Sequence, residues 1–92
     1  MELSLADFEG FVGEPHEIVF ADGALPVVLE TAQGLPRSMR EGGAFRLEWR
    51  GPAEPVLAQA IYRFRRDEQL FDMFIVPVGR DSGGTLYEAV FN

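Results

Sequence analysis

The chain has no cysteine and no lysine, and only one histidine, His16, and one tryptophan, Trp49. Without cysteine there is no disulfide framework, no thiolate nucleophile and no thiolate metal site. Without lysine, Schiff-base chemistry and a lysine-bearing phosphate loop are excluded, because all eight basic residues are arginine. Any Ser-His-Asp arrangement would have to use His16. That residue follows Pro15 at a strand start, with no serine in a nucleophile-elbow context, so a surface or rim position is expected for it. Long apolar runs are also lacking. None approaches the ~18 residues of a bilayer span, and Glu2 and Asp7 stand where a signal peptide needs positive charge. A cytoplasmic protein, neither exported by that route nor anchored, is expected.

Bases are scarce as well. Fifteen acids against eight arginines leave a net charge of −7. Duplex nucleic acid and anionic membranes need clustered positive charge to displace counterions, so neither is an expected partner. The excess is uneven. Residues 1–46 hold eight acids and three arginines, and residues 47–92 hold seven and five. The first half should present the acidic surface that a basic protein partner could recognise. No candidate ligands show metal-site spacing, and no cofactor is expected.

What is present is a 92-residue chain, 47% hydrophobic, long enough for one domain over residues 1–92 and one core without staples. Leu5, Phe8, Phe11 and Val12 recur at helical spacing after Ser4, and Asp7 stands three residues beyond Ser4 as in a capping box. This predicts a short N-terminal helix of two or three turns, ended by Gly13 and Pro15. Thereafter the period changes to two. Residues 17–20 and 25–31 read as a hairpin about Asp22-Gly23. Pro26 cannot donate to a ladder, so the second of these strands is expected either at an edge or to begin after the proline. Residues 33–43 read as a loop. Phe45, Leu47 and Trp49 alternate with Arg46, Glu48 and Arg50, one face packed and one wet. Residues 53–59 are a connector with room for a helical turn. Residues 61–66 alternate again, with Tyr62 and Phe64 opposite Arg63 and Arg65. Residues 70–78 are apolar on both faces apart from Asp72, which predicts a strand covered on each side. Residues 79–84 form a six-residue turn before a last strand over 85–91. The reading is a mainly β fold of about six antiparallel strands in a small barrel or sandwich, with one short N-terminal helix that caps an open end or covers the strand at 70–78.

Three groups of residues invite a chemical reading. Gly79, Arg80, Asp81 and Ser82 sit in a glycine-rich loop that lacks Gly-Lys-Ser/Thr and leads into a strand, so it is no phosphate loop. As a displayed tip it is a candidate interaction loop. Arg63, Arg65, Asp72 and Glu88 could line a pocket at a barrel mouth beside Tyr62 or Trp49. A hairpin centred near Asp81 and Ser82 sets Glu88 near Ile75 and Asp72 near Phe91, so these two acids are not an opposed pair. A solvated face of alternating charge is the competing reading, with cross-strand pairs contributing ~0.2–1 kcal/mol each. Trp49, Tyr62 and Tyr87 could stack a ligand but sit among core-facing residues.

Phe74-Ile75-Val76-Pro77-Val78-Gly79-Arg80-Asp81, Gly84 and Tyr87-Glu88-Ala89-Val90-Phe91-Asn92 form a C-terminal box. With Leu5-Ala6-Asp7-Phe8, Gly13, Arg50-Gly51-Pro52 and Tyr62, the chain resembles an uncharacterised bacterial family of small stand-alone proteins. The resemblance implies a domain of unknown function with no catalytic residues to carry over, and a setting beside phage tail-collar or tail-fibre proteins. Two functions are therefore in view. One is a small non-catalytic protein-interaction or structural module, accessory to a tail-like or surface assembly and docking through an exposed strand edge. The other is an enzyme or small-ligand binder in a barrel mouth. If the helix leaves the strand at 70–78 bare, a homodimer is expected to cover it.

Overall fold

The computed structural model describes residues 3–35 and 44–91. Its elements are a helical turn α1 (Ala6–Glu9) and six strands: β1 (Pro15–Phe20), β2 (Gly23–Leu35), β3 (Ala44–Gly51), β4 (Ala60–Arg66), β5 (Gln69–Asp81) and β6 (Gly84–Phe91). All neighbouring strands are antiparallel, and they close into a barrel in the order β1-β2-β3-β6-β5-β4. The ring shuts where Glu17, Ile18 and Val19 of β1 pair with Arg65, Phe64 and Arg63 of β4.

Alternation explains the interior. Phe45, Leu47 and Trp49 of β3 all point inward and are fully buried. They meet Ile18, Leu29, Phe64, Ile75 and Tyr87, also fully buried, with Met73 and Ala89 nearly so. Each such large side chain contributes roughly 1.5–3 kcal/mol on burial. The interior is therefore a packed core, as small barrels require.

Two long strands do the bending. β2 pairs with β1 over residues 23–28 and with β3 from Val28 to Leu35, with a register shift between Leu29 and Thr31. β5 pairs with β4 over residues 69–75 and with β6 from Val76 to Asp81, with a shift between Pro77 and Gly79. Each bulge adds one residue, kinks the strand and reverses which residues face inward. Ala32 rather than Thr31 then lies opposite the inward Leu47. This is why residues 33–35 are strand although they looked aperiodic. The rest of the expected loop, 36–43, lies outside the described residues.

Closure removes the edge expected at Pro26. Its partner on β1 is Glu17, and the β3 ladder begins only at Val28. The missing N–H therefore costs no hydrogen bond to β3, and no open strand edge remains in the ring.

The turns are tighter than expected. β1 and β2 are joined by Ala21-Asp22, since Phe20 already pairs with Gly23. The turn is thus one residue earlier than Asp22-Gly23, and neither of those residues has positive φ. The six-residue turn at 79–84 shrinks to Ser82-Gly83, because Asp81 pairs with Gly84. The connector between β3 and β4 holds no helical turn.

Both barrel ends are covered. The helix is a single turn, shorter than predicted. Ser4 N–H and its hydroxyl both donate to the Asp7 carboxylate, at 2.7 and 3.2 Å, which is one half of a capping box. The other half is missing, because Asp7 N–H donates to the Ser4 carbonyl and the N-cap is Leu5 with no side-chain bond. Phe8 is the buried residue of this turn. Its ring lies 6.2 Å from Phe45 and 5.7 Å from Phe71, plugging one end. Gly13, at φ +89, donates its N–H to the Leu29 carbonyl and ends the segment against β2. Val12 is exposed rather than part of the apolar stripe. At the other end the connector is held by side chains. Leu57 N–H donates to the Tyr87 hydroxyl, and the Tyr62 and Thr85 hydroxyls donate to the Ala58 and Ala53 carbonyls.

Gly84 makes the tightest backbone approach. It has φ +125, and a Cβ there would lie 2.0 Å from the Gly51 carbonyl oxygen. Gly84→Ala is expected to cost about 2 kcal/mol or more through strain and steric overlap. Gly79→Ala, where nothing lies within 4 Å, should stay within about 0.5 kcal/mol. Urea unfolding of the two variants measures the difference.

Candidate functional site

Because inward positions fill the core, the chemistry-bearing residues of β4, β5 and β6 face outward. Arg63 Nε donates to Asp72 at 3.0 Å, both side chains about half exposed. Arg65 donates to Glu17 through Nε and Nη2, at 3.1 and 2.5 Å. Glu88 stands directly opposite Glu48, a pairing that would be repulsive alone. Arg46 lies between them, with Nε 3.1 Å from Glu88 and Nη2 3.0 Å from Glu48. The four residues considered for a mouth pocket are thus brought onto the outer wall as members of cross-strand ion pairs. They do not converge on a shared cavity. Exposed pairs of this kind contribute about 0–1 kcal/mol each.

Gly79, Arg80 and Asp81 belong to β5 itself, and only Ser82 is in the turn. The Asp81 carboxylate accepts from Arg50 and from Gly83 N–H. These bonds, Arg50 first, hold its carboxyl below the usual range. Arg50 also donates to Glu30, with Nε at 2.6 Å and Nη2 at 3.1 Å. Asp81 therefore ties the β5–β6 turn to β3 and, through Arg50, to the bulge of β2. Arg80 remains exposed.

Between these ion pairs the outer wall is apolar. Ile61 of β4 pairs with Phe74 of β5. They are 68% and 52% exposed. Val90 of β6 is nearly half exposed and lies two residues beyond Glu88, the partner of Val76. Leu70 and Val78 extend the apolar surface along β5, each about half exposed. The helical turn plugs the end of the barrel and leaves this wall uncovered. The two-faced hydrophobicity of residues 70–78 signalled that wall. Ile61 escaped notice because it was read only as the start of its strand.

A second feature lies at the helix end. A cavity of about 510 Å³ opens between α1 and the β4–β5 hairpin, lined by Phe8, Phe11, Phe71, Leu70, His16 and Arg66 among others. Arg66 lies 3.7 Å over the Phe11 ring and pairs with Glu14 and Asp67. His16 is 3% exposed, which overturns the surface position expected for it. It alternates with the buried Ile18 on β1 and meets Trp49 edge-on at 4.9 Å. Its Nδ1 lies 3.1 Å from the Glu14 carbonyl. A carbonyl only accepts, so Nδ1 carries the proton and Nε2 the lone pair in the neutral ring. Nε2 and the Trp49 Nε1 are both buried without a hydrogen-bond partner among the described residues. Trp49 and Tyr87 are core residues, and Tyr62 is half-buried against Phe20 at the far end. Among the described residues no group of three or more His, Asp or Glu is placed to hold a metal ion, and no helix is long and apolar enough to cross a membrane.

The arrangement defines a class, a closed six-stranded antiparallel barrel with a plugged end and a mixed apolar and charged outer wall. Residues 3–91 match the family model of a domain of unknown function, DUF6916, and the chain belongs to that family. No curated protein and no solved structure matches it.

Burial pushes the His16 ring below its ordinary value near 6.5. The Glu14 carbonyl opposes this shift, and Arg66 adds to it. The unfolded chain therefore binds more protons between the lowered value and 6.5, so stability rises with pH across that window. Acidifying from neutral pH should lower the melting temperature, and the loss should level off below the folded ring's own value. His16→Phe should remove this contribution, flattening melting temperature against pH from about 7 downward relative to wild type. Thermal melts of both proteins across that range measure it.

Proposed function

We propose that this protein is a small non-catalytic interaction module that works by burying the outer apolar wall of β4, β5 and β6 against another protein surface. The observation that carries the reading is the row Ile61, Phe74 and Val90, at about half exposure or more on a barrel whose helix does not cover it. Monomers rarely leave larger contiguous apolar patches than a few hundred Å² bare. Because the barrel is closed, docking by strand addition at Pro26 has no edge to use, and recognition falls to the face. The setting suggested by the family resemblance, an accessory to a tail-like or surface assembly, suits such a module. A cytoplasmic setting belongs to the same proposal, since a cysteine-free chain needs no oxidising compartment to fold.

A second reading, a small-ligand binder, is favoured by the cavity beside His16 and Arg66 rather than by a barrel mouth. Its size falls in the roughly 300–1,000 Å³ range of ligand sites.

Replacing Phe74 with a photo-crosslinking phenylalanine analogue in the native host tests the first reading. Reproducible protein adducts, of this chain or another, are expected from position 74 and not from the exposed turn residue Glu68. Adducts at neither position, or equally at both, would remove the case for this wall as the docking face.

A further inference from the structure

We propose that the occupant of the outer wall of β4, β5 and β6 is a second copy of this chain, packed about a two-fold axis passing near Phe74. The inference rests on the interaction-module reading above and adds the identity of the partner.

The area fits a dimer. Ile61, Leu70, Phe74, Val78 and Val90 are each about half exposed or more. Together they present on the order of 500 Å² of apolar surface, near the upper end of what monomers leave bare. One side of a standard interface buries about 800 Å². The polar rim of Arg63, Asp72, Arg65 and Glu17 lies on the same wall and can supply the difference.

The charge fits a dimer as well. The whole chain carries −7, so two copies repel over most of their surface. On and beside this wall Arg46, Arg63 and Arg65 stand against Glu17, Glu48, Asp72 and Glu88, all in ion pairs that run across strands except Arg46–Glu48 within β3. The wall is therefore close to neutral, and two copies can approach there with little net repulsion. A strongly basic partner would find no matching negative field on it.

The pattern is also self-complementary. A two-fold contact requires one patch that fits its own rotated image. Arg63 and Asp72 are adjacent, opposite in sign and about half exposed, one strand apart beside the Ile61–Phe74 row. Rotation about an axis near Phe74 sets Arg63 of one copy towards Asp72 of the other, while the apolar rows meet at the centre. Packing two such sheet faces about 10 Å apart with nearly aligned strands is an ordinary geometry for β layers.

Sedimentation equilibrium of the purified full chain over roughly 1 to 500 μM at physiological salt tests this, since self-association is read from its concentration dependence. The expected mass is twice 10.3 kDa at the upper concentrations. Phe74→Arg and, separately, Ile61→Arg should each raise the dimer dissociation constant by about 100-fold or more, with melting kept cooperative. The Ile61 variant guards against a folding defect at position 74, because that side chain is the more exposed. Arg63→Asp should weaken the dimer, and Arg63→Asp combined with Asp72→Arg should restore it. A wild-type chain that stays at 10.3 kDa throughout, or Phe74 and Ile61 variants that dimerise as tightly as wild type, would overturn the proposal. A monomeric chain whose position-74 analogue still crosslinks to a different protein sinks the second copy alone. A monomeric chain with no such adducts sinks the interaction reading too.

Discussion

Closure of the ring between β1 and β4 is the constraint on which the rest of the molecule depends. Three residue pairs, Glu17–Arg65, Ile18–Phe64 and Val19–Arg63, join the ends of the sheet. Once they do, each strand divides its side chains between a small interior and an outer wall. The interior takes one large apolar residue at every second position, and Trp49, Tyr87, Phe45 and Phe64 fill it. There is no room inside for a charged pair, so arginines and acids go outward and find one another across strands. The bulges in β2 and β5 bend the two longest strands so that each serves two neighbours, and a ring of only six strands can shut.

Closure also redistributes charge. Along the chain the first half is the more acidic. In the ring, β1 lies beside β4, and β2 lies beside β3. Glu14 and Glu17 therefore meet Arg66 and Arg65, and Glu30 meets Arg50. These three acids of the first half are thus matched by arginines of the second. The same neighbour relations leave the wall around Phe74 apolar, with its flanking charges paired, and this is the face on which the proposed contact rests. His16 shows the other side of the constraint. An inward position on β1 places it against Trp49 whether or not its ring nitrogen finds a partner.

Most of the fold was legible from side-chain period. The alternation of 45–50 and 61–66, the contact of Ser4 with Asp7 and the apolar excess of 70–78 all correspond to structure, because each is a local effect of chain geometry. The misreadings have separate causes. A bulge reverses parity, so residues 33–35 looked like loop, and closure of the ring, which no local pattern shows, removed the edge that Pro26 suggested. His16 looked like a rim residue because its alternation with Ile18 covers too few positions to weigh against its polarity. The helix was overestimated because apolar spacing at Phe11 and Val12 continues past its end at Gly10, after which Gly13 ties the chain to Leu29 of β2.

By itself, the sequence determined the six alternating segments, the absence of thiol and lysine chemistry, and a fifth strand with more apolar surface than one core could absorb. Those are properties of short stretches and of composition. Tertiary structure alone decided that the sheet closes, that the helical turn plugs an end instead of covering β5, and which arginine meets which acid. Those outcomes depend on pairings between residues as far apart as Glu14 and Arg66 or Arg46 and Glu88. Nothing in a local pattern specifies such pairings, because they are set by the requirement that one small interior be filled from every strand at once.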